Sequence, residues 1–220
     1  MGRCVPIERN QIKGAIAARV AKELHDGDVI NLGIGLPTLV PSYLPEGVHV
    51  ILHSENGIIG TGPEPDPEAA EPFHVTDAGG KAAAAAPGGC FIDSSTSFGL
   101  IRGGHVDCTI LGALEVDQEG NLANWIIPGK KLPGMGGAMD LVVGARRVIV
   151  AMEHTSKGSH KILNHCRLPI TAARCVNTII TEMGVMEVTP QGLELRELGE
   201  GYTVEMVQQA TECPLIVNLS

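Results

Sequence analysis

Apolar residues recur every four positions near the start of the chain, at Ile12, Ile16, Val20 and Leu24, with Lys13, Arg19, Lys22 and Glu23 between them. That spacing predicts an amphipathic helix with one face turned to a core, and Gly27 is placed to cap its C-terminal end. Val29–Leu32 reads as a short buried strand. It runs into a glycine turn, Gly33-Ile34-Gly35, and Pro37 suits the first turn of a following helix. A second strand is predicted over 48–52, ending at Ser54-Glu55-Asn56-Gly57, where Asn-Gly calls for a sharp turn. The polar, proline-rich stretch 62–72 reads as an exposed loop. The alanine run 82–86 fits either a short helix or an extended connector.

In the second half, 108–116 is one apolar run that predicts a buried strand, and 118–121 is a turn. A glycine-rich loop covers 128–137, followed by one or two helical turns over 140–145 and a buried strand over 148–152. Strand-like residues 178–181, a hairpin around Pro190-Gln191-Gly192 and a helical stretch over 204–211 complete the chain. Helices alternating with aliphatic strands predict an α/β fold with a sheet covered on both faces. No internal repeat or composition break divides the chain, so residues 1–220 read as one domain.

Composition narrows the function classes. With 220 residues the chain can bury a full core, and with 44% apolar but only 3% aromatic residues that core is aliphatic. A formal charge of −9 argues against nucleic-acid or anionic-membrane partners. No apolar run is long enough to span a bilayer. The N-terminus lacks a signal-peptide pattern, and Pro6 stands where a myristoylation motif wants Ser or Thr. Six scattered cysteines with no CxxC pair read as reduced thiols of a cytoplasmic protein.

Several segments carry candidate chemistry. Gly33-Ile34-Gly35-Leu36-Pro37-Thr38 departs from a dinucleotide fingerprint at Thr38, which leaves a tight packing turn or a place where backbone approaches a ligand. The loop from Gly134 to Asp140 precedes a helix, and its backbone N–H groups can serve an anion or simply a packing turn. Arg102-Gly103-Gly104-His105 is either an anion contact or a cationic turn. His154, His160 and His165 match no metal spacing and read as solvated or hydrogen-bonded histidines, so no metal site is expected. No GxSxG elbow is present. Glu55, at the end of a buried strand and before a turn, sits where open α/β sheets place their ligands. Spacing alone leaves it between a solvated carboxylate and a catalytic one.

Taken in order, these segments resemble the beta subunit of class I CoA-transferases, the succinyl-CoA:3-oxoacid family. The resemblance runs over about 14–211. It is carried by Asn31-Leu32-Gly33-Ile34-Gly35-Leu36-Pro37-Thr38, Ser54-Glu55-Asn56-Gly57, Ile101-Arg102-Gly103-Gly104-His105-Val106-Asp107, Leu122-Ala123-Asn124-Trp125, Ile127-Pro128-Gly129-Lys130, Gly134 to Asp140, and Met152-Glu153-His154-Thr155-Ser156-Lys157-Gly158.

The resemblance implies a three-layer α/β/α sandwich with a mixed, mostly parallel sheet. It implies an alpha subunit as partner, in an α2β2 assembly with the active site between the two chains. Glu55 would be the nucleophile that carries a glutamyl-CoA thioester, and the Gly137 N–H an oxyanion donor. Asn31, Gly33, Gly35, Asn56 and Gly136 would lie around substrate and CoA. CoA is then a substrate, and no cofactor is implied. Acetoacetate with succinyl-CoA is the first substrate pair expected, with 3-oxoadipate, butyrate and acetate as alternatives. The chain departs from the family pattern in one place: some members carry a lysine directly after Ala-Gly, whereas here Ala78-Gly79 is followed by Gly80, and Lys81 comes one place later.

Overall fold

The computed structural model describes residues 8, 10–63, 65, 75–129 and 134–219. In chain order its strands are β1 Val29–Leu32, β2 Ile51–Ser54, β3 Ile58–Thr61, β4 Ala85–Phe91, β5 Cys108–Leu111, β6 Glu115–Asp117, β7 Leu122–Ala123 and β8 Arg147–Ala151. They continue with β9 Thr155–Ser156, β10 Ser159–His160, β11 Ile162–Leu163, β12 Thr178–Thr181, β13 Gly184–Thr189, β14 Gly192–Leu198 and β15 Leu215–Val217. The helices are α1 Ile12–Ala21, α2 Ser94–Arg102, α3 Ala138–Gly144 and α4 Val204–Ala210, with a 3-10 helix over Leu36–Tyr43.

The main sheet has the order β15-β14-β13-β12-β8-β5-β1-β2-β3-β4. The central run β12-β8-β5-β1-β2 is parallel, as is the β14–β15 pair, and the other neighbours are antiparallel. The central strands β5 and β12 are buried along their whole length, as parallel strands covered on both faces must be. Their side chains divide between two cores with period two. Ile30, Ile110, Ile149 and Ile180 face α1, which packs through Ile16, Ala17, Val20 and Ala21. Leu111, Val148, Val150 and Ile179 face the opposite layer, where α3 contributes Val142 and α4 contributes Val207. The small sheet β11-β6-β7 joins that layer through Val116, Leu122 and Ile162. The result is the expected three-layer α/β/α sandwich with a mixed sheet.

Several elements depart from expectation. Helix α1 stops at Ala21 and is capped by Lys22. Gly27, at φ +85, instead sends its N–H to the His49 carbonyl at 2.7 Å and ties the loop before β1 to the one before β2. The second strand begins only at Ile51, because Val48 N–H bonds the Pro45 carbonyl in a turn and Asp26 holds the His49 N–H. The apolar run 108–116 breaks after Leu111. Beyond Gly112 the chain leaves the main sheet, Leu114 N–H bonds the Ala123 carbonyl, and pairing resumes as β6. The alanine run is extended: Ala82 bridges Thr76 and Ala85 opens β4. Helix α2 has no counterpart among the expected elements; Asp93 starts it by accepting from the Thr96 N–H at 2.9 Å. Most of the 62–72 stretch, Pro6 and Lys130 lie outside the described residues. No described helix is long and apolar enough to cross a membrane.

Candidate active site

Glu55 follows β2 at the C-terminal edge of the parallel strands, in a turn between β2 and the antiparallel β3. Gly57 closes that turn, with its N–H on the Ser54 carbonyl at 2.9 Å and φ at +125. A Cβ at Gly57 would overlap the Ile92 carbonyl, and Ile92 N–H bonds the Gly57 carbonyl at 2.9 Å. Only glycine fits there, and the turn is pinned to the segment that opens α2.

The half-buried Glu55 carboxylate is held by its neighbours. Asn31, on the adjacent strand β1 and buried, directs Nδ2 to Oε2 of Glu55 at 3.1 Å and to the His53 carbonyl at 3.1 Å. One amide therefore fixes both the nucleophile candidate and the strand end that carries it. On the other side stands Gly137, the N-cap of α3. A Cβ there would lie 2.9 Å from Glu55 Cγ, 3.2 Å from Oε1 and 3.3 Å from the Phe98 ring. The Gly137 carbonyl accepts from Leu141 N–H at 3.0 Å, while its own N–H makes no hydrogen bond among the described residues. The fold thus brings Asn31, Glu55 and Gly137 together.

The other expected site residues take different positions. Gly33 is a packing glycine: its N–H bonds the Ile110 carbonyl at 2.8 Å and a Cβ would meet Leu111 at 2.9 Å. Gly35, at φ +87, caps the 3-10 helix, and Gly136, at φ +56, is exposed. The Asn56 side chain donates to the Thr76 carbonyl at 2.7 Å, and Ser54 Oγ accepts from Ala78 N–H at 2.8 Å. These two bonds lash the 75–83 segment to the Glu55 turn. Lys81 sits in that segment, with its N–H on Asp77 Oδ1 at 2.9 Å. Arg102 is committed to Asp140 at 2.8 Å and stacks over Phe98, so it is a tie between α2 and α3.

Sequence reasoning singled out neither His53 nor Ser97. His53 is buried, its Nε2 lies 2.9 Å from Ser97 Oγ, and its Nδ1 has no partner among the described residues. Burial lowers its pKa, against the pull of Glu55, so it is a neutral ring joining β2 to α2. Its position on β2, two residues before Glu55, is the signal that could have found it. His154 is buried between Thr181 and Thr211, each 2.9 Å from a ring nitrogen, while His160 bonds the Gln209 carbonyl. Burial pushes the Cys166 thiol up to about 12 and those of Cys108, Cys175 and Cys213 to about 11. They are protonated at neutral pH and poor nucleophiles.

A protein-family model described as Coenzyme A transferase matches residues 13–210. The chain belongs to that family. Its beta type is equally plain. It is 52% identical to the beta subunit of the acetate CoA-transferase of Escherichia coli over 205 residues, which cover 91% of each chain. It is 46% identical to the corresponding chain of a probable succinyl-CoA:3-ketoacid coenzyme A transferase of Bacillus subtilis, over 92% of this chain and 94% of the relative. This transferase chain spans only 40% of a human relative, the mitochondrial "Succinyl-CoA:3-ketoacid coenzyme A transferase 2", at 47% identity. Among solved structures it resembles the acyl-CoA transferase YdiF of E. coli O157:H7, with a TM-score of 0.72, 20% identity, and coverage of 98% of this chain and 44% of that one. It also resembles the glutaconate CoA-transferase of Acidaminococcus fermentans, with a TM-score of 0.68, 19% identity, and coverage of 94% and 88%. At such identities the structural likeness speaks for the fold. A beta-type transferase chain implies an alpha partner.

Proposed function

We propose that this chain, with an alpha subunit in an α2β2 assembly in the cytoplasm, moves CoA between succinyl-CoA or acetyl-CoA and a 3-oxoacid such as acetoacetate or 3-oxoadipate. The observation that carries the reading is the Glu55 carboxylate, clamped between the Asn31 amide at 3.1 Å and Gly137, whose missing Cβ leaves it room. An ionised carboxylate in a fixed position is the nucleophile this reaction needs.

Glu55 attacks the thioester carbonyl, the C–S bond breaks, and CoA thiolate leaves a mixed anhydride. The thiolate then attacks Glu55 Cδ, the donor acid departs as its carboxylate, and a glutamyl-CoA thioester remains. The acceptor carboxylate attacks that thioester and expels the thiolate, which attacks the acceptor's acyl carbon and frees Glu55. Each attack puts negative charge on a carbonyl oxygen, and an N–H donor such as that of Gly137 stabilises it by about 3 kcal/mol. The chemistry needs no metal or redox cofactor, and CoA is a substrate.

The test is an intact-mass measurement on the purified alpha–beta complex mixed with acetoacetyl-CoA or succinyl-CoA. The expected result is a mass gain of CoA less water on this chain, absent in Glu55→Gln. Full turnover by Glu55→Gln would take Glu55 out of the nucleophile role. Rates with acetoacetate against acetate as acceptor decide the acid class.

A further inference from the structure

Helix α2 sends two neighbouring side chains toward the Glu55 turn. Ser97 is fully buried, with Oγ 2.9 Å from His53 Nε2. Phe98, the next residue, is half-buried and packs against Ile101, Val106 and Leu141 in the small core between α2 and α3. Its Cζ end reaches the site. The point where a Gly137 Cβ would stand lies 3.3 Å from Phe98 Cζ, 2.9 Å from Glu55 Cγ and 3.2 Å from Glu55 Oε1. Ring edge and carboxylate therefore face each other across the space that the glycine leaves. A methyl carbon already crowds that space, and a water oxygen of similar size has no room in it.

The ring is held in this orientation. Arg102, one turn further along α2, places its guanidinium 5.8 Å from the Phe98 ring centroid, within reach of cation–π attraction. Asp140 on α3 holds that guanidinium at 2.8 Å. Such an exposed ion pair adds little to stability. Here it backs an aromatic ring from two helices and limits the ring's freedom to swing away from Glu55.

The chemistry gives such a ring a task. While Glu55 carries CoA as a thioester, water competes with the acceptor acid for it. A water oxygen that attacks Glu55 Cδ breaks the C–S bond. CoA leaves as the thiolate, water gives up a proton, and Glu55 returns as a carboxylate. The donor acid has already left when the adduct formed, so the sum of the steps is hydrolysis of acyl-CoA. On one side of the carboxylate the Asn31 amide occupies Oε2. On the other, Phe98 presents only carbon and offers an incoming water no hydrogen bond. Phe98→Ala frees more than the ~30 Å³ that one water takes up in the liquid, directly beside the carboxyl group. We propose that Phe98 keeps water off the glutamyl thioester, and that its ring holds in check a latent acyl-CoA hydrolase activity of this chain. The proposal rests on the CoA-transferase reading and adds the residue that protects its intermediate.

The test follows the lifetime of the adduct. The alpha–beta complex is mixed with acetoacetyl-CoA, desalted to remove the released acid, and left without an acceptor. Intact mass records loss of the adduct from this chain, and a thiol reagent records the CoA set free. Phe98→Ala is expected to shorten the adduct's lifetime about tenfold or more, and Phe98→Leu, which keeps an apolar side chain there, by less than about threefold. Only molecules that have formed the adduct are counted, so a fraction of misfolded protein does not enter the lifetime. Phe98→Val, a smaller truncation, keeps the test valid should Phe98→Ala fold poorly, and its lifetime should fall between the other two. Ser97→Ala loosens the tie between α2 and β2 but leaves the ring, and the adduct should last as long as in the wild type. Unchanged lifetimes in the Phe98 truncations overturn the proposal. So does an equal shortening in Ser97→Ala, which would assign the effect to the seating of α2. Failure of the transferase reading shows differently, as a wild-type complex that forms no adduct on Glu55.

Discussion

A Cβ on residue 137 would stand 2.9 Å from Cγ of Glu55 and 3.2 Å from its Oε1. Gly137 and Glu55 therefore share one packing position, and the carboxylate occupies the room the glycine leaves. Gly137→Ala pushes the Glu55 side chain aside. Since a misplacement of about 1 Å costs roughly a hundredfold in rate, kcat is expected to fall by about that factor. The melting temperature should hold, because the half-buried Glu55 can swing outward. Steady-state kinetics beside a thermal melt checks this, and an unchanged kcat would show that the contact does not matter.

Asn31 gives a prediction about charge. Asn31→Asp replaces a donor 3.1 Å from Glu55 Oε2 with a second carboxylate. Like charges at that range disfavour joint ionisation. The variant should be slow at neutral pH and recover as the pH rises, which a pH–rate profile would record as a displaced acidic limb. Asn31→Ala removes the same two hydrogen bonds without adding a charge and is expected to cost about 1–3 kcal/mol of stability, with no comparable shift in the profile.

His154 makes the fold acid-sensitive. Burial holds its pKa down to about 4, from an ordinary value of 6.5. Between those values the unfolded chain takes up a proton that the folded chain refuses. Its contribution is therefore full above about pH 6.5, is lost as the pH falls through the window, and stops falling near pH 4. The loss across the window is about 3 kcal/mol. Glu182 beside it has a pKa raised by burial and works in the opposite direction. The difference between wild type and His154→Gln isolates the histidine: the wild type should lose more melting temperature between about pH 7.5 and about pH 4.5. Parallel curves would refute this.

Helices α2 and α3 meet at Gly144. A Cβ there would overlap the Ile101 carbonyl, 2.7 Å from its carbon and 2.9 Å from Ile101 Cγ2. Backbone cannot yield as a side-chain tip does, so Gly144→Ala should destabilise the chain by about 1–3 kcal/mol, a drop in melting temperature of about 2–12 °C. Scanning calorimetry is the check.

Some of the fold was legible in the sequence, and the rest was hidden for physical reasons. Strands β1, β12, β13 and β14 could be read because their apolar runs end at glycines or turns that punctuate them. The run 108–116 misled because a strand leaving one sheet for another stays apolar throughout, and only the lone Gly112 marks the change. Helix α2, Ser-Ser-Thr-Ser-Phe-Gly-Leu-Ile-Arg, is polar and weakly patterned, and it is held by its Asp93 cap and by packing on α3. At the site, Glu55 stood out through its turn and Gly137 through the resemblance. The double hydrogen bond of Asn31 was not legible, because it depends on the register that sets Asn31 opposite His53. The His53–Ser97 pair depends in the same way on where α2 lands.

The three clamped residues come from β1, from the turn after β2 and from the start of α3, at positions 31, 55 and 137. Their meeting requires the parallel pairs β1–β2, β1–β5 and β5–β8, each of which closes a long loop. Such non-local pairing comes late and slowly in folding. In a refolding experiment, recovery of the carboxylate's reactivity should therefore lag the return of helical signal, making the site a late reporter of assembly.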